Sequence, residues 1–232
     1  MITQNISKLL FIDIETVGIS SNLKQFEKEQ PSLYKNFVQN SDWFLKRFPE
    51  TSEWSLDDIF YKRAALIPEF GRIVCVSMGF IAPNGELKKQ SFFGPNEEEI
   101  LRKTNESFNK VQKLDYHLCG HNIKNFDIQY LIKRMIVNGI LPSKLLPSYD
   151  TKPWEIKALD TMEIWKQGGN GLCSLDLICS SLGISSSKNG EVVGNKVHEN
   201  FYEKSNYEEI KNYCERDVDV IVEIIKKLQT LN

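Results

Sequence analysis

The sequence predicts an α/β fold: a mixed five-stranded sheet with helices on both faces and a helical insertion after the first strand. Two observations predict it. Three β-rich runs come first, "KLLFIDI", "RIVCVSMGFI" and "LKKQSFF", the last two flanking a "PNG" turn; then amphipathic stretches alternate with short apolar runs. The first strand spans residues 8 to 14. Residues 19 to 70 carry Phe26, Tyr34, Phe37, Trp43, Phe44, Phe48, Trp54, Phe60 and Tyr61 among mixed charges, which reads as an inserted helical region. The two β-rich runs that follow make a hairpin. A helix begins near Asn96, with acidic residues in its first turn and Ile100, Leu101, Phe108 and Val111 on its apolar face. "YHLCGHN" is a short strand, and "NFDIQYLIKRMIVNGI" a helix closed by Gly139 and followed by Pro142. "EIKALDTMEIW" is expected as the fifth strand. "SLDLICSSLGI" is a helix capped by Ser174 and stopped at Gly183, residues 184 to 196 read as a flexible loop, and "SNYEEIKNYCERDVDVIVEIIKKLQTL" is a long last helix.

At 232 residues the chain is expected to be a single domain over 1–232, with 19–70 inserted within it. No apolar stretch approaches the roughly 20 residues of a membrane span, and "MITQNISKLL" lacks the charged start, apolar middle and cleavage site of an export signal. The five cysteines are odd in number, scattered and without a C-x-x-C pair, which favours neither a disulfide framework nor a zinc site. A cytoplasmic location fits that usage. The net charge of −2 excludes a non-specific coat for nucleic acid, so a polyanionic partner must be held locally. Two divalent cations would turn that charge into about +2.

Asp13 and Glu15 follow the apolar run one residue apart. In a strand, such residues point to the same face with roughly 6.6 Å between their Cα atoms, so both carboxylates can converge on one cation. A solvated strand end is the plainer reading, but the flanking residues suggest a strand buried on both faces, where unpaired carboxylates are costly. Asp127 starts a helix just after a short strand, a position that gathers ligands or simply favours the helix dipole. Tyr213 and Asp217 are four apart, stacked on one helical face. Asp160 suits either a metal site or a capping pair with Glu163.

Asp13-x-Glu15 on the first strand, Asn122-x-x-Asn125-Phe126-Asp127 before a helix, and Tyr213-x-x-x-Asp217 on the last helix resemble the three motifs of the DEDD family of 3′-5′ exonucleases. The tyrosine makes the resemblance one to the DEDDy subtype; the histidine subtype has its histidine five before the aspartate, where Asn212 stands here. "PEFGRIVCVS", "GHNIKNFD" and "YCERDV" look most like stand-alone relatives of the proofreading exonuclease domain of family B DNA polymerases. The resemblance covers most of the chain; residues 19–70 depart from the minimal domain.

It implies a ribonuclease-H-like fold and hydrolysis of single-stranded 3′ ends, DNA favoured over RNA, to nucleoside 5′-monophosphates. It also implies two Mg²⁺ or Mn²⁺ ions: Asp13, Glu15 and Asp217 would hold the first, Asp13 would bridge to the second, and Asp127 would support the second. Two such ions stabilise charge on the attacking and leaving oxygens. Four carboxylates without them would repel, each close pair by about 4 kcal/mol. Tyr213 would orient the attacking water, since an unperturbed phenol with a pKa near 10 is a poor base at neutral pH. Thr16, Val17, Asn122 and Phe126 would contact the terminal nucleotide, or else pack structurally. The aromatics of 19–70 would stack bases or form the insertion's own core.

Two other readings remain open. "FIDIETV" approximates the Asp-x-Asp-x-Thr/Val motif of haloacid-dehalogenase-like phosphatases, with Asp13 as nucleophile, although the second Asp is Glu here. A non-catalytic nucleic-acid-binding module of the same fold would be expected to have lost a metal ligand, and none of the four is missing.

Overall fold

The first apolar run becomes the middle of the sheet. The computed structural model describes residues 5–47, 53–171, 173–188 and 194–230, apart from the side chains of 42–47, and in it Leu9–Gly18 forms strand β1. Gly71–Ile81 (β2) and Leu87–Phe93 (β3) form the antiparallel hairpin on one side of it; Gly85, at φ 85°, takes the left-handed position in their turn. His117–Gly120 (β4) and Ala158–Asp160 (β5) extend the sheet in parallel on the other side. The order is β3-β2-β1-β4-β5.

Alternation along β1 decides which layer each side chain enters. Leu10, Ile12 and Ile14 face α4 (Glu97–Gln112) and α5 (Asp127–Val137), packing with Leu101, Phe108 and Leu131. Leu9 and Phe11 face α9 (Tyr207–Gln229), meeting Val218, Ile221 and Ile225. Asp13 and Glu15 continue that second row. Each of the five apolar side chains contributes about 1.5–3 kcal/mol on burial, which offsets the cost of carrying two carboxylates into the same layer.

The register slips directly after Glu15: Glu15 opposes Cys75 but Thr16 opposes Ile73, leaving Val74 as the extra residue of a bulge. Such a bulge bends the hairpin and re-aims the side chains beside it.

Between β1 and β2 lie α1 (Leu23–Glu29), α2 (Pro31–Arg47) and α3 (Leu56–Arg63). Their aromatics pack on each other and on Phe70, just before β2: Phe26, Phe37, Phe60 and Phe70 are buried, with Phe26 and Phe60 stacked at 5.2 Å and Phe37 edge-on to Phe70 at 5.1 Å. The side chains of Trp43 and Phe44, and all of Phe48, lie outside the described residues.

A buried ion pair ties β2, α4 and α5 together. Arg134 donates to both oxygens of Glu97, at 2.9 and 2.6 Å, and the Ile73 N–H donates to the same carboxylate at 2.7 Å.

Four elements differ from their sequence expectation. β1 runs on to Gly18, so the carboxylates sit within the strand and not at its end, because pairing with β2 continues past the bulge. The expected fifth strand shrinks to Ala158–Asp160: the Asp160 side chain accepts the Met162 N–H and starts α6 (Thr161–Lys166), overriding the alternation in "TMEIW". Residues 194–196 form a 3₁₀ turn rather than loop, and α8 (Val197–Tyr202) precedes the last helix, burying Val197 and Phe201 against Val17. Ser174 and Gly183 bound α7 (Leu175–Leu182) as expected.

Candidate active site

Three elements, β1, α5 and α9, carry the acidic side chains, with Asp13 and Glu15 inside β1. Asp13 is half-buried, and Glu15 is 8% exposed, both on the α9 side of β1. On α9, Tyr213 and Asp217 lie on the buried face, in register with Ile210, Cys214 and Val218. Asp127 is 4% exposed at the first position of α5, where N–H groups of the helix start favour its charge.

The loop that carries Asp127 is held by Asp160. Its two oxygens accept from the Asn122 and Lys124 N–H groups, at 2.9 and 3.2 Å, and one also accepts from Met162. Asn122 adopts φ 56°, a left-handed conformation that asparagine tolerates, and its carbonyl accepts from Phe126. Asp160 is therefore a cap and a clamp. Glu163 does not complete a capping pair; it reaches Lys124 at 2.7 Å.

Burial pushes the Asp13, Glu15, Asp127 and Asp217 carboxyls up from their ordinary range, Asp127 to about 8. Mutual repulsion adds to this. Asp13 feels Asp217, Glu15 and Asp127; Glu15 feels Asp217 and Asp127; and Asp127 feels Asp160 and Asp217. Hydrogen bonds from the Ser187 and Tyr213 hydroxyls partly counter the effect at Asp217. Burial together with Glu15, Asp217 and Asp13 drives the Tyr213 phenol well above its ordinary range, so it remains an O–H donor across the physiological range.

Cys214 is the residue that sequence reasoning missed. Its Sγ lies 3.3 Å from both the Asp13 carbonyl and Oδ2, and burial raises its thiol pKa, so it donates as S–H. One ligand atom each from Asp13, Glu15 and Cys214 lies within 4.8 Å of the others. The signal was available in helical spacing, since Cys214 precedes Asp217 by three and Val218 by four. Ser187 left none, coming from the 184–196 segment.

This donor set fits hard divalent cations. The carboxyl oxygens suit a hard divalent cation, whose charge would favour their ionised forms against burial and mutual repulsion.

The nucleotide-contact candidates lie around this cluster. The Thr16 hydroxyl donates to the Ala65 carbonyl at 2.7 Å. Val17 is fully buried against Val197 and Phe201, so contact with a ligand would run through its backbone. Asn122 accepts from the Asn125 side chain at 3.3 Å, and the half-buried Phe126 packs on Tyr130 at 5.3 Å.

A family model described as a predicted 3′-5′ exonuclease related to the exonuclease domain of PolB matches residues 66–221. That stretch contains Asp127, Tyr213 and Asp217, while Asp13 and Glu15 precede it. No curated protein matches the chain. Among solved structures the fold is similar to the family B DNA polymerase of the hyperthermophilic archaeon Pyrobaculum calidifontis, with a TM-score of 0.60 at 14% identity. The similarity covers 95% of this chain but only 24% of the polymerase, and it is a likeness of fold.

Proposed function

The chain belongs to the family of predicted 3′-5′ exonucleases related to the exonuclease domain of PolB, and on that premise we propose that it removes nucleotides from single-stranded 3′ ends, preferring DNA. The products are nucleoside 5′-monophosphates. One observation carries this reading: Asp13 and Glu15, buried side by side on β1, both feel the charges of Asp217 from α9 and Asp127 from α5, and burial with that repulsion pushes their carboxyls up.

In this reading Asp13, Glu15 and Asp217 hold one Mg²⁺ or Mn²⁺, and Asp13 with Asp127 the other. The two cations supply positive charge against the phosphodiester oxygens that become more negative during cleavage. The chain's own groups do the rest. The Asp160 clamp fixes Asp127, and the Cys214 S–H fixes Asp13. Tyr213, held protonated, cannot accept the proton of the attacking water; it donates a hydrogen bond that orients that water or a phosphate oxygen. Water adds to phosphorus, the bond to the 3′ oxygen of the penultimate nucleotide breaks, and that oxygen takes up a proton.

The phosphatase alternative gains nothing from the fold. It needs a further acidic pair beyond a strand end, and Asp217 and Asp219 both lie within α9.

The test is release of mononucleotides from 3′-labelled single-stranded DNA and RNA in Mg²⁺ or Mn²⁺. The expected outcome is EDTA-sensitive release by the wild-type chain, fastest on DNA, and none above background from Asp13→Asn. Undiminished release by Asp13→Asn would sink the proposal.

A further inference from the structure

A groove of about 560 Å³ lies between α5 and the segment 141–156. Ile128, Ile132 and Ile136, spaced four apart on α5, form one wall, and Leu141, Leu146 and Ile156 contribute to the other. Around it the chain leaves large apolar groups in solvent: Leu141 is 86% exposed, Trp154 77% and Tyr149 fully so. Exposed apolar groups concentrated in one place mark an interaction surface.

Charge and continuity identify the occupant. Lys144 lines the groove and Lys152 and Lys157 lie outside its lining; all three are exposed, and among the described residues none of their ammonium groups pairs with a carboxylate, although the Lys152 N–H donates to Glu155 at 3.1 Å. The Lys152 ammonium stands 5.5 Å over the Trp154 ring, so cation and aromatic face are presented together. Lys124 and Asn125 line the same groove and belong to the loop that delivers Asp127. One end of the groove thus reaches the loop that carries Asp127, where Lys124 is paired with Glu163, a further lining residue, at 2.7 Å. Aromatic faces interleaved with unpaired lysines suit a single-stranded nucleic acid, whose bases stack while its phosphates meet the ammonium groups. A purely apolar protein segment would leave those lysines without a role.

We propose that this groove, with the Lys152–Trp154 surface outside its lining, binds the single strand upstream of the 3′ end that enters the carboxylate cluster, with Tyr149 and Trp154 stacking bases and Lys144 and Lys152 meeting phosphates. The assignment rests on the nuclease reading, which supplies a 3′ end at Asp127.

Fluorescence anisotropy with a 5′-fluorescein-labelled oligothymidylate in EDTA reads binding without cleavage. Tyr149→Ala and Trp154→Ala should each weaken binding about tenfold. Lys144→Ala with Lys152→Ala should flatten its salt dependence by about two counterions. Leu114→Ala, an exposed apolar substitution at the opposite end of the strands, should leave it unchanged. The side chains replaced are all exposed, so an unchanged melting temperature verifies folding. Binding unmoved by the groove substitutions overturns the proposal, and so does a wild-type chain that binds no strand; a protein partner on this surface would give either result. Nucleotide release by the wild-type chain, measured separately, judges the nuclease reading: groove-dependent binding without release would reject that reading and support the groove.

Discussion

Asp13 illustrates the conflict that the proposed metal site builds into the fold. Its carboxyl is pushed up by burial and by three neighbouring carboxylates, with only the Cys214 thiol opposing the shift. Holding the Asp13 proton against its ordinary pKa costs stability at neutral pH, and Asp13→Asn removes that cost, so the cation-free variant should melt about 2–4 °C or more above wild type while nucleotide release falls at least about 100-fold. Calorimetry and the release assay check both halves. The same chemistry sets a pH dependence. Because the folded chain holds these protons more tightly than the unfolded chain, the resulting stability is complete below the ordinary carboxylate range. It is lost as pH rises through the raised pKa values, that of Asp127 being about 8. The cation-free melting temperature should therefore fall between pH 5 and pH 8 by on the order of 5 °C, and Mg²⁺ should restore more of it at pH 8 than at pH 5. A melting temperature flat over this range would contradict the shifts. Tyr213→Phe should lower kcat roughly 10- to 100-fold without removing an ionisation from the pH–rate profile, since the phenol does not titrate in the working range.

Among the elements, those with strong local signals were legible in the sequence. Asn96, Ser174 and Gly183 bound α4 and α7 because a cap acts within one turn. β5 was not legible beyond Asp160, because alternating apolar residues in "TMEIW" suit a strand until a side-chain cap starts the helix. The bulge after Glu15 left no local signal either, since it depends on how β2 pairs with β1. Asp160 gives this scale its test. Truncation to Ala leaves the Asn122, Lys124 and Met162 N–H groups without their acceptor. The expected cost is about 2–4 kcal/mol of stability, together with a loss of nucleotide release as the loop carrying Asp127 shifts. Denaturant unfolding that matched wild type would remove Asp160 from its clamping role.

Across the molecule, the four acidic positions were legible as a motif set, but the contacts that hold them were not. Asp13 and Asp217 lie on elements at opposite ends of the sequence, and only the packing of α9 on β1 joins them. Cys214 and Ser187 are ordinary residue types whose roles exist only after that packing. The Glu97–Arg134 pair is similar: neither residue announces a partner in the sequence, yet the pair ties β2 to both helices of the opposite layer. Removing one partner, as in Arg134→Met, should cost about 3–5 kcal/mol by leaving a buried carboxylate unpaired, measurable by urea unfolding. The proposal that carboxylates from three distant elements form a single divalent-cation centre rests on the packing of α9 and the start of α5 against β1. Titration with Mn²⁺, followed by the loss of free-ion paramagnetic resonance signal, tests that claim without reference to activity. The account predicts two ions bound per wild-type chain and one fewer in Asp127→Asn; no bound Mn²⁺, or a stoichiometry untouched by the substitution, would contradict it.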